Sequence, residues 1–170
     1  MSDVFKEQIV KRKQTTKNTI IRILLIFVVA MVFFISFALG LGPLAVLLTA
    51  GAIFGALYIH SFFIVEYEYI FTNGDLDIDI IYNRSRRKRV FSAHVNTIEV
   101  MAHVEDNNHI REFDSSQETR DYSSGTVGES TYAFLTPIGG KRLKVVIEPN
   151  EKMLAAFKTG ISPRKLHIRA

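Results

Sequence analysis

VEYEYIFTNGDLDIDIIY, Val65–Tyr82, alternates apolar and polar side chains on either side of one dipeptide, Asn73-Gly74. Asn-Gly is the strongest short hairpin signal, because a type I′ turn needs positive φ at both central residues. A two-residue turn also fixes the register. It sets Phe71 opposite Leu76, Tyr69 opposite Ile78, Tyr67 opposite Ile80 and Val65 opposite Tyr82. All eight are apolar or aromatic and share one face. Slipping the pairing by one residue scatters them over both faces. The stretch reads as a β-hairpin and as the start of an antiparallel sheet.

The opposite face is acidic. It places Glu68 across from Asp79, with Glu66, Asp75 and Asp77 close by. Like charges directly across a ladder destabilise it, so positive side chains are expected beside them. Arg84, Arg86, Arg87, Lys88 and Arg89 follow at once and lead into a strand at Val90–Val95. Asp75, Asp77 and Asp79 resemble the opening of a calcium loop, but Ile80 and Ile81 stand where such a loop needs glycine. Charge pairing with the basic run is the expected role of these carboxylates.

Further strands read at Thr97–Val104, Thr131–Thr136 and Arg142–Glu148, the last two joined by a turn at Pro137-Ile138-Gly139-Gly140. Residues 105–130 are polar and turn-rich, with Ile110, Phe113, Tyr122 and Val127 available to bury. One weak strand is expected there, near Glu118–Tyr122. A helix over residues 150–159 closes the chain. Asn150 caps it, Lys158 lies in its last turn, Gly160 stops it and Pro163 prevents resumption. Its stripe of Met153, Leu154, Phe157 and Ile161 suits the open end of a sheet or barrel.

Upstream the composition changes. Between Ile20 and Val65 the only charged or imidazole side chains are Arg22 and His60. Two apolar runs, Ile20–Leu39 and Leu44–Val65, are each long enough to cross about 30 Å of hydrocarbon. Gly40-Leu41-Gly42-Pro43 is a helix-breaking turn between them. Ser36-Phe37-Ala38 could be read as a signal-peptide cleavage site, but the run is long for one and a second span follows directly. The expected object is a transmembrane helical hairpin over residues 20–65. Gly51 and Gly55 form a small-xxx-small pattern, suited either to packing the second span on the first or to homodimerisation. His60 near the end of its run reads as an interfacial histidine.

The net charge of +4 sits in residues 1–22, where six Lys/Arg face Asp3 and Glu7, while residues 66–170 balance to zero. The basic character therefore belongs to a membrane flank, and nucleic acid is not an expected partner. By the positive-inside rule the N-terminus and everything after the second span lie in the cytoplasm of a multi-pass cell-membrane protein. Residues 1–19 form a basic cytoplasmic segment, read either as a short helix on the inner leaflet or as a disordered tail. Residues 66–170 form the cytoplasmic domain. The fold class is an α+β membrane protein: a two-helix hairpin, then a small antiparallel sheet or barrel with a C-terminal helix.

Val65–Ile81, the basic run RSRRKRV (Arg84–Val90) and EPNEKML (Glu148–Leu154) resemble a family of small bacterial membrane proteins with an N-terminal transmembrane hairpin. The same order of parts is similar to bacterial pleckstrin-homology-like (PH-like) membrane proteins. The resemblance implies a fold and a location and carries over no catalytic residue. Lipid-reading PH domains place basic residues around the first hairpin turn. Here that turn is Thr72-Asn73-Gly74-Asp75, so specific phosphoinositide recognition is not expected.

There is no cysteine, no zinc signature among the five histidines, no phosphate-binding glycine loop and no nucleophile context around Ser123-Ser124-Gly125. No enzyme activity, metal or cofactor is expected. The remaining reading is a membrane-anchored interaction module. Arg84, Arg86, Arg87, Lys88 and Arg89 are its candidate contacts with anionic headgroups of the bilayer or with a membrane-protein partner. The rival reading is a structural subunit that associates, with itself or another chain, through the hairpin and Gly51 and Gly55.

Overall fold

A computed structural model of the chain describes residues 4–106 and 108–168, with the backbone alone at Ile110. The elements run β1 (Phe5–Lys11), α1 (Thr16–Ala38), α2 (Pro43–Ser61), β2 (Val65–Thr72), β3 (Asp75–Tyr82) and β4 (Arg86–His94). A 3-10 turn at Val95–Thr97 leads to β5 (Val100–His103), α3 (Ile110–Asp114), β6 (Glu118–Asp121), β7 (Tyr132–Ile138), β8 (Lys141–Ile147), α4 (Glu151–Gly160) and β9 (Leu166–His167). Two sheets result, ordered β1-β2-β3-β4 and β6-β8-β7-β5-β9. The architecture is α+β, with two apolar N-terminal helices, largely antiparallel sheets and a C-terminal helix.

The chain divides into two compact units. The helical unit is Gln14–Val65 with Tyr82–Ser85; the β unit holds the residues up to Lys13, Glu66–Ile81 and the chain from Arg86 onward.

In the β unit the Asn73-Gly74 turn forms with φ of 51° and 99°. Tyr67, Tyr69, Phe71, Leu76 and Ile78 are buried, as the hairpin register requires. Further along β3 the pattern shifts: Ile80 is only half-buried and Ile81 is buried instead. The second sheet supplies the facing layer through Met101, Tyr132, Phe134, Val145 and Ile147. The layers interlock edge-on, with Phe91 against Phe134 at 5.8 Å and Tyr67 against Tyr122 at 5.5 Å. Tyr69 is buried and donates its hydroxyl proton to the Tyr122 carbonyl at 2.6 Å. α4 closes one end, its Phe157 ring 5.4 Å from Phe71. Asn150 caps it by accepting from Met153 N at 2.9 Å.

The N-terminal segment departs from both expectations. It is neither a surface helix nor a tail: Phe5–Lys11 is a strand, antiparallel to β2 from Phe5↔Thr72 to Lys11↔Glu66. Residues 1–3 lie outside the described residues. The edge of β2 offers a row of backbone partners, and side chains hold the strand there. Arg12 donates to the Tyr67 hydroxyl at 2.8 Å and the Asp121 carbonyl at 3.0 Å, and Lys13 to Thr126 Oγ1 at 2.8 Å. Two of the six basic groups credited to a membrane flank are therefore bonded within the β unit.

Other boundaries move for local reasons. The basic run is itself strand from Arg86. Pro137 and Ile138 belong to β7, and the turn is Gly139-Gly140. The expected strand at Thr97 begins only at Val100, because Thr97 turns back to donate to the His94 carbonyl. β6 forms close to its expected place, but parallel to β8. Phe113 of α3 is buried against Val100, Ala102, Ala133 and Leu135 on the outer face of the second sheet. α3 and β9, parallel to β5, were not expected.

In the helical unit, α1 and α2 are joined by a turn with positive φ at Gly40 and Gly42, 65° and 52°. Both helices are long and apolar enough to cross a membrane. α2 ends at Ser61, four residues short of the apolar run. Ser36, Thr49 and Ser61 return their hydroxyl protons to carbonyls of their own helices, which satisfies them without water. Large side chains stay uncovered by protein, including Phe37 and Phe54, both 74% exposed. Ile21, Leu25, Val29, Val32 and Ser36 on α1, and Ala45, Thr49, Ala52, Ala56 and His60 on α2, are the less exposed stripes. Their three- and four-residue spacing marks the faces the helices turn to each other.

Candidate functional site

β4 sorts the basic run by strand alternation. Arg87 Nη1 lies 3.1 Å from Glu68 Oε2. Arg89 donates from Nε to Asp79 Oδ1 at 2.8 Å and from Nη1 to Asp77 Oδ2 at 2.6 Å. These two arginines bind the acidic face across strands. Asp77 and Asp79 are thereby engaged, and no group of three or more metal-ligating side chains occurs among the described residues. Successive strand residues point to opposite faces, so Arg86 and Lys88 fall on the side away from Arg87 and Arg89, and both are exposed. Arg84 sits in the preceding turn with φ of 56°, beside Asn83 at 48°. Ser85 N donates to the Tyr82 carbonyl at 3.1 Å, closing that turn, and Asn83 N donates to the Ile64 carbonyl at 2.9 Å. The turn thus belongs to the helical unit, fastened just beyond the end of α2.

Glu68 is the unusual member of the acidic face. Its side chain is wholly buried, and neither carboxyl oxygen makes a well-formed hydrogen bond within the described residues. Burial raises its pKa above the usual glutamate range, and the neighbouring Glu7 carboxyl raises it further. Arg87 pulls the other way, while the charges of Glu7 and Asp79 add to the rise. The sequence shows the crowding of carboxylates but not the burial. Glu7 arrives from β1, which the sequence does not read as a strand.

A polar groove of about 580 Å³ was not foreseen. Arg142 lines it, with Nη2 2.7 Å from Glu99 Oε2 and Nη1 donating to Ser115 Oγ at 3.1 Å. Lys165 Nζ is occupied by the Ile98 carbonyl at 2.9 Å. Glu99 and Arg142 thus bond each other, and Arg111 and Glu112 complete the charged lining. Its residues come from five separate segments, so no local motif announces it. His109 and His167 stack at 3.9 Å, with His109 Nδ1 2.9 Å from Asp106 Oδ2, a contact that lowers the Asp106 pKa.

Ser123 donates to Asp121 Oδ1 and Ser124 to Glu148 Oε1. A hollow of about 300 Å³ at the first hairpin turn has His94 as the one ionisable side chain among its lining residues. Gly51 and Gly55 lie exposed on α2, and a Cβ at either would meet nothing within 4 Å.

A two-layer β domain closed by a C-terminal helix, with a helical hairpin inserted between its first and second strands, is a PH-like architecture carrying an apolar appendage. The chain belongs to the bacterial PH-like domain family (DUF6106), which matches it over residues 2–168. The match takes in β1 and the helices as well as the later strands. Neither a search of curated proteins nor one of solved structures finds a match.

Proposed function

We propose that the protein is a non-enzymatic membrane-anchored interaction module. The helical hairpin spans the cell membrane, both ends of the chain lie in the cytoplasm, and the PH-like domain presents a basic surface to a membrane-protein partner or to anionic headgroups. PH-like domains are generally non-catalytic interaction modules, and the family supports that class. The observation that carries the reading is the division of the basic run. Arg87 and Arg89 are engaged by Glu68, Asp77 and Asp79, while Arg86 and Lys88 remain exposed. Arg84 lies in a turn fastened to the end of the helical unit. Basic groups near an anionic leaflet gain about 1 kcal/mol each. The test is affinity capture of the full chain in mild detergent, with mass spectrometry, comparing wild type with Arg86→Glu/Lys88→Glu. Loss of the captured partner and its lipid supports the reading; unchanged capture sinks it. Protease applied outside intact cells should leave the domain whole; its digestion would reverse the orientation.

A second reading has its own observation. Gly51 and Gly55 face open space on α2, where another helix can approach closely. In this reading the protein is an accessory subunit that associates through its hairpin, with its own kind or with another chain. Gly51→Leu/Gly55→Leu should then abolish co-purification, and persistence of the partner rejects it.

A further inference from the structure

Arg22 and His60 are the only basic side chains between residues 20 and 65, and that stretch contains no acidic one. They converge. Both line a groove of about 470 Å³ between α1 and α2, whose walls are otherwise apolar and include Val29, Ile53, Ala56 and Leu57. Ala56 leaves the space, since its methyl stands where a larger residue would fill the hollow. Among the described residues no hydrogen bond or ion pair engages either the Arg22 guanidinium or the His60 ring.

The two cationic positions are level. Arg22 stands 16 residues before Ala38 and His60 stands 17 after Pro43, about 24 and 26 Å from the inter-helix turn at 1.5 Å per residue. Val29 and Ile53 are about 14 and 15 Å from the turn by the same measure. The groove therefore runs about 11 Å, with its polar end at the open end of the hairpin. Half the hydrocarbon thickness of a bilayer is about 15 Å. The groove fits within the depth of one leaflet, about 11 Å of its roughly 15 Å of hydrocarbon, with an always-charged guanidinium at the headgroup end. Arg22 is exposed on the hairpin surface and His60 half-buried; within a bilayer a cation needs a counter-charge, and the span supplies none from the protein.

We infer that this groove is a binding site for one anionic phospholipid of the leaflet at the open end of the hairpin. Its phosphate is held by Arg22 and His60, and an acyl chain lies along Val29, Ile53, Ala56 and Leu57. The site rests on the membrane-spanning reading of the helices but is separate from Arg84, Arg86 and Lys88. Arg22 presents a forked donor that matches phosphate oxygens, and the ring of His60 adds a second donor. A net-anionic headgroup is preferred over a zwitterionic one, whose ammonium would be brought towards the guanidinium.

The chain has no tryptophan, which allows a single reporter. Leu57 is 61% exposed on the rim of the groove, so Leu57→Trp places an indole beside the acyl chain. The full-length variant is reconstituted in nanodiscs of equal parts phosphatidylglycerol and phosphatidylcholine, with bromine on the acyl chains of one lipid or of the other. Both discs have the same composition, so only the identity of the neighbouring lipid differs. The expected result is stronger quenching by brominated phosphatidylglycerol, matching about fivefold enrichment at the site. Adding Arg22→Gln and His60→Gln should make the two lipids quench equally, and Ala56→Phe should weaken the preference with both cations intact. Equal quenching by both lipids in the parent variant overturns the inference while leaving the hairpin in the bilayer. No quenching by either lipid shows that the helices are not embedded, and overturns the membrane reading and the lipid site together.

Discussion

Asn150 donates its backbone N–H to Gln8 Oε1 at 2.7 Å across the β unit, and Gln8 Nε2 donates in turn to the Glu148 carbonyl at 2.7 Å. One side chain on β1 thus satisfies two backbone groups at the entry to α4, next to the Asn150 cap. Gln8→Leu leaves both groups without that partner and should cost about 2 kcal/mol, read as a lowered midpoint in denaturant. The same contact makes β1 integral to the domain. A fragment beginning at Glu66 should show no cooperative unfolding transition. Joining residues 4–13 to residue 66 through a short flexible linker should restore one, because Lys11 and Glu66 are already cross-strand neighbours.

Glu68 gives the β unit a pH dependence opposite to that of a salt-bridged carboxylate. Its folded pKa is raised above the ordinary value of 4.5, chiefly by burial and then by Glu7. The folded state therefore holds the proton more tightly than the unfolded chain. Stability from this group is fully present below the ordinary value and is lost as pH rises through the raised one. Within that window the wild type should lose up to about 1.4 kcal/mol per pH unit. Glu68→Gln cannot ionise and should be flatter over the same range, and more stable near neutrality. Urea unfolding at stepped pH measures this; parallel curves for the two proteins would show that Glu68 titrates normally.

Arg89 and its neighbours on β4 should separate stability from binding. Arg89 bridges Asp77 and Asp79 and is half-exposed, so Arg89→Ala should cost about 1 kcal/mol at low salt and less at high salt. Arg86→Ala and Lys88→Ala touch no such pair and should stay within about 0.5 kcal/mol of wild type. Chemical denaturation at two ionic strengths checks both statements. A large loss at Lys88 would mean that the strand alternation is assigned the wrong way round.

The hairpin at Asn73-Gly74 was legible because its period of two and its turn residues agree, and the two apolar helices because nothing interrupts them. Asn150, Met153 and Phe157 likewise announce α4 through cap and stripe. β1 was hidden for a physical reason. Its inward positions are Lys6, Gln8 and Val10, opposite Phe71, Tyr69 and Tyr67, so one apolar residue faces the core where a strand signal needs several. The strand is held by backbone pairing and by Gln8 and Arg12, which periodicity does not register. Phe113 was legible as a residue to bury, but its site beneath β5 and β7 depends on partners more than ten residues away on either side. The division of the basic run was implicit in strand alternation once the strand is known to begin at Arg86 rather than Val90. Gly51 and Gly55 show the limit of a motif: small-xxx-small marks a surface that can be approached closely, while Ala45, Ala52 and Ala56 line the stripe turned towards α1.

Gly160 reads from the sequence as a helix stop, yet the structure gives it a packing role. A Cβ built there would lie 2.6 Å from Val95 Cγ2, well inside contact distance, and 3.9 Å from the Phe71 ring. Val95 is buried and anchored by its own N–H, which donates to the Gly74 carbonyl at 2.8 Å, so it has little room to retreat. Gly160→Ala gains helix propensity of about 1 kcal/mol but forces overpacking that costs about 1–3 kcal/mol. The net expectation is destabilisation. Val95→Ala alone removes buried methyl groups and is also destabilising. The double variant Gly160→Ala/Val95→Ala should be more stable than the sum of the two losses predicts, because each substitution makes room for the other. A double-mutant cycle by chemical denaturation measures this coupling, and additive losses would show that α4 and Val95 do not meet at Gly160.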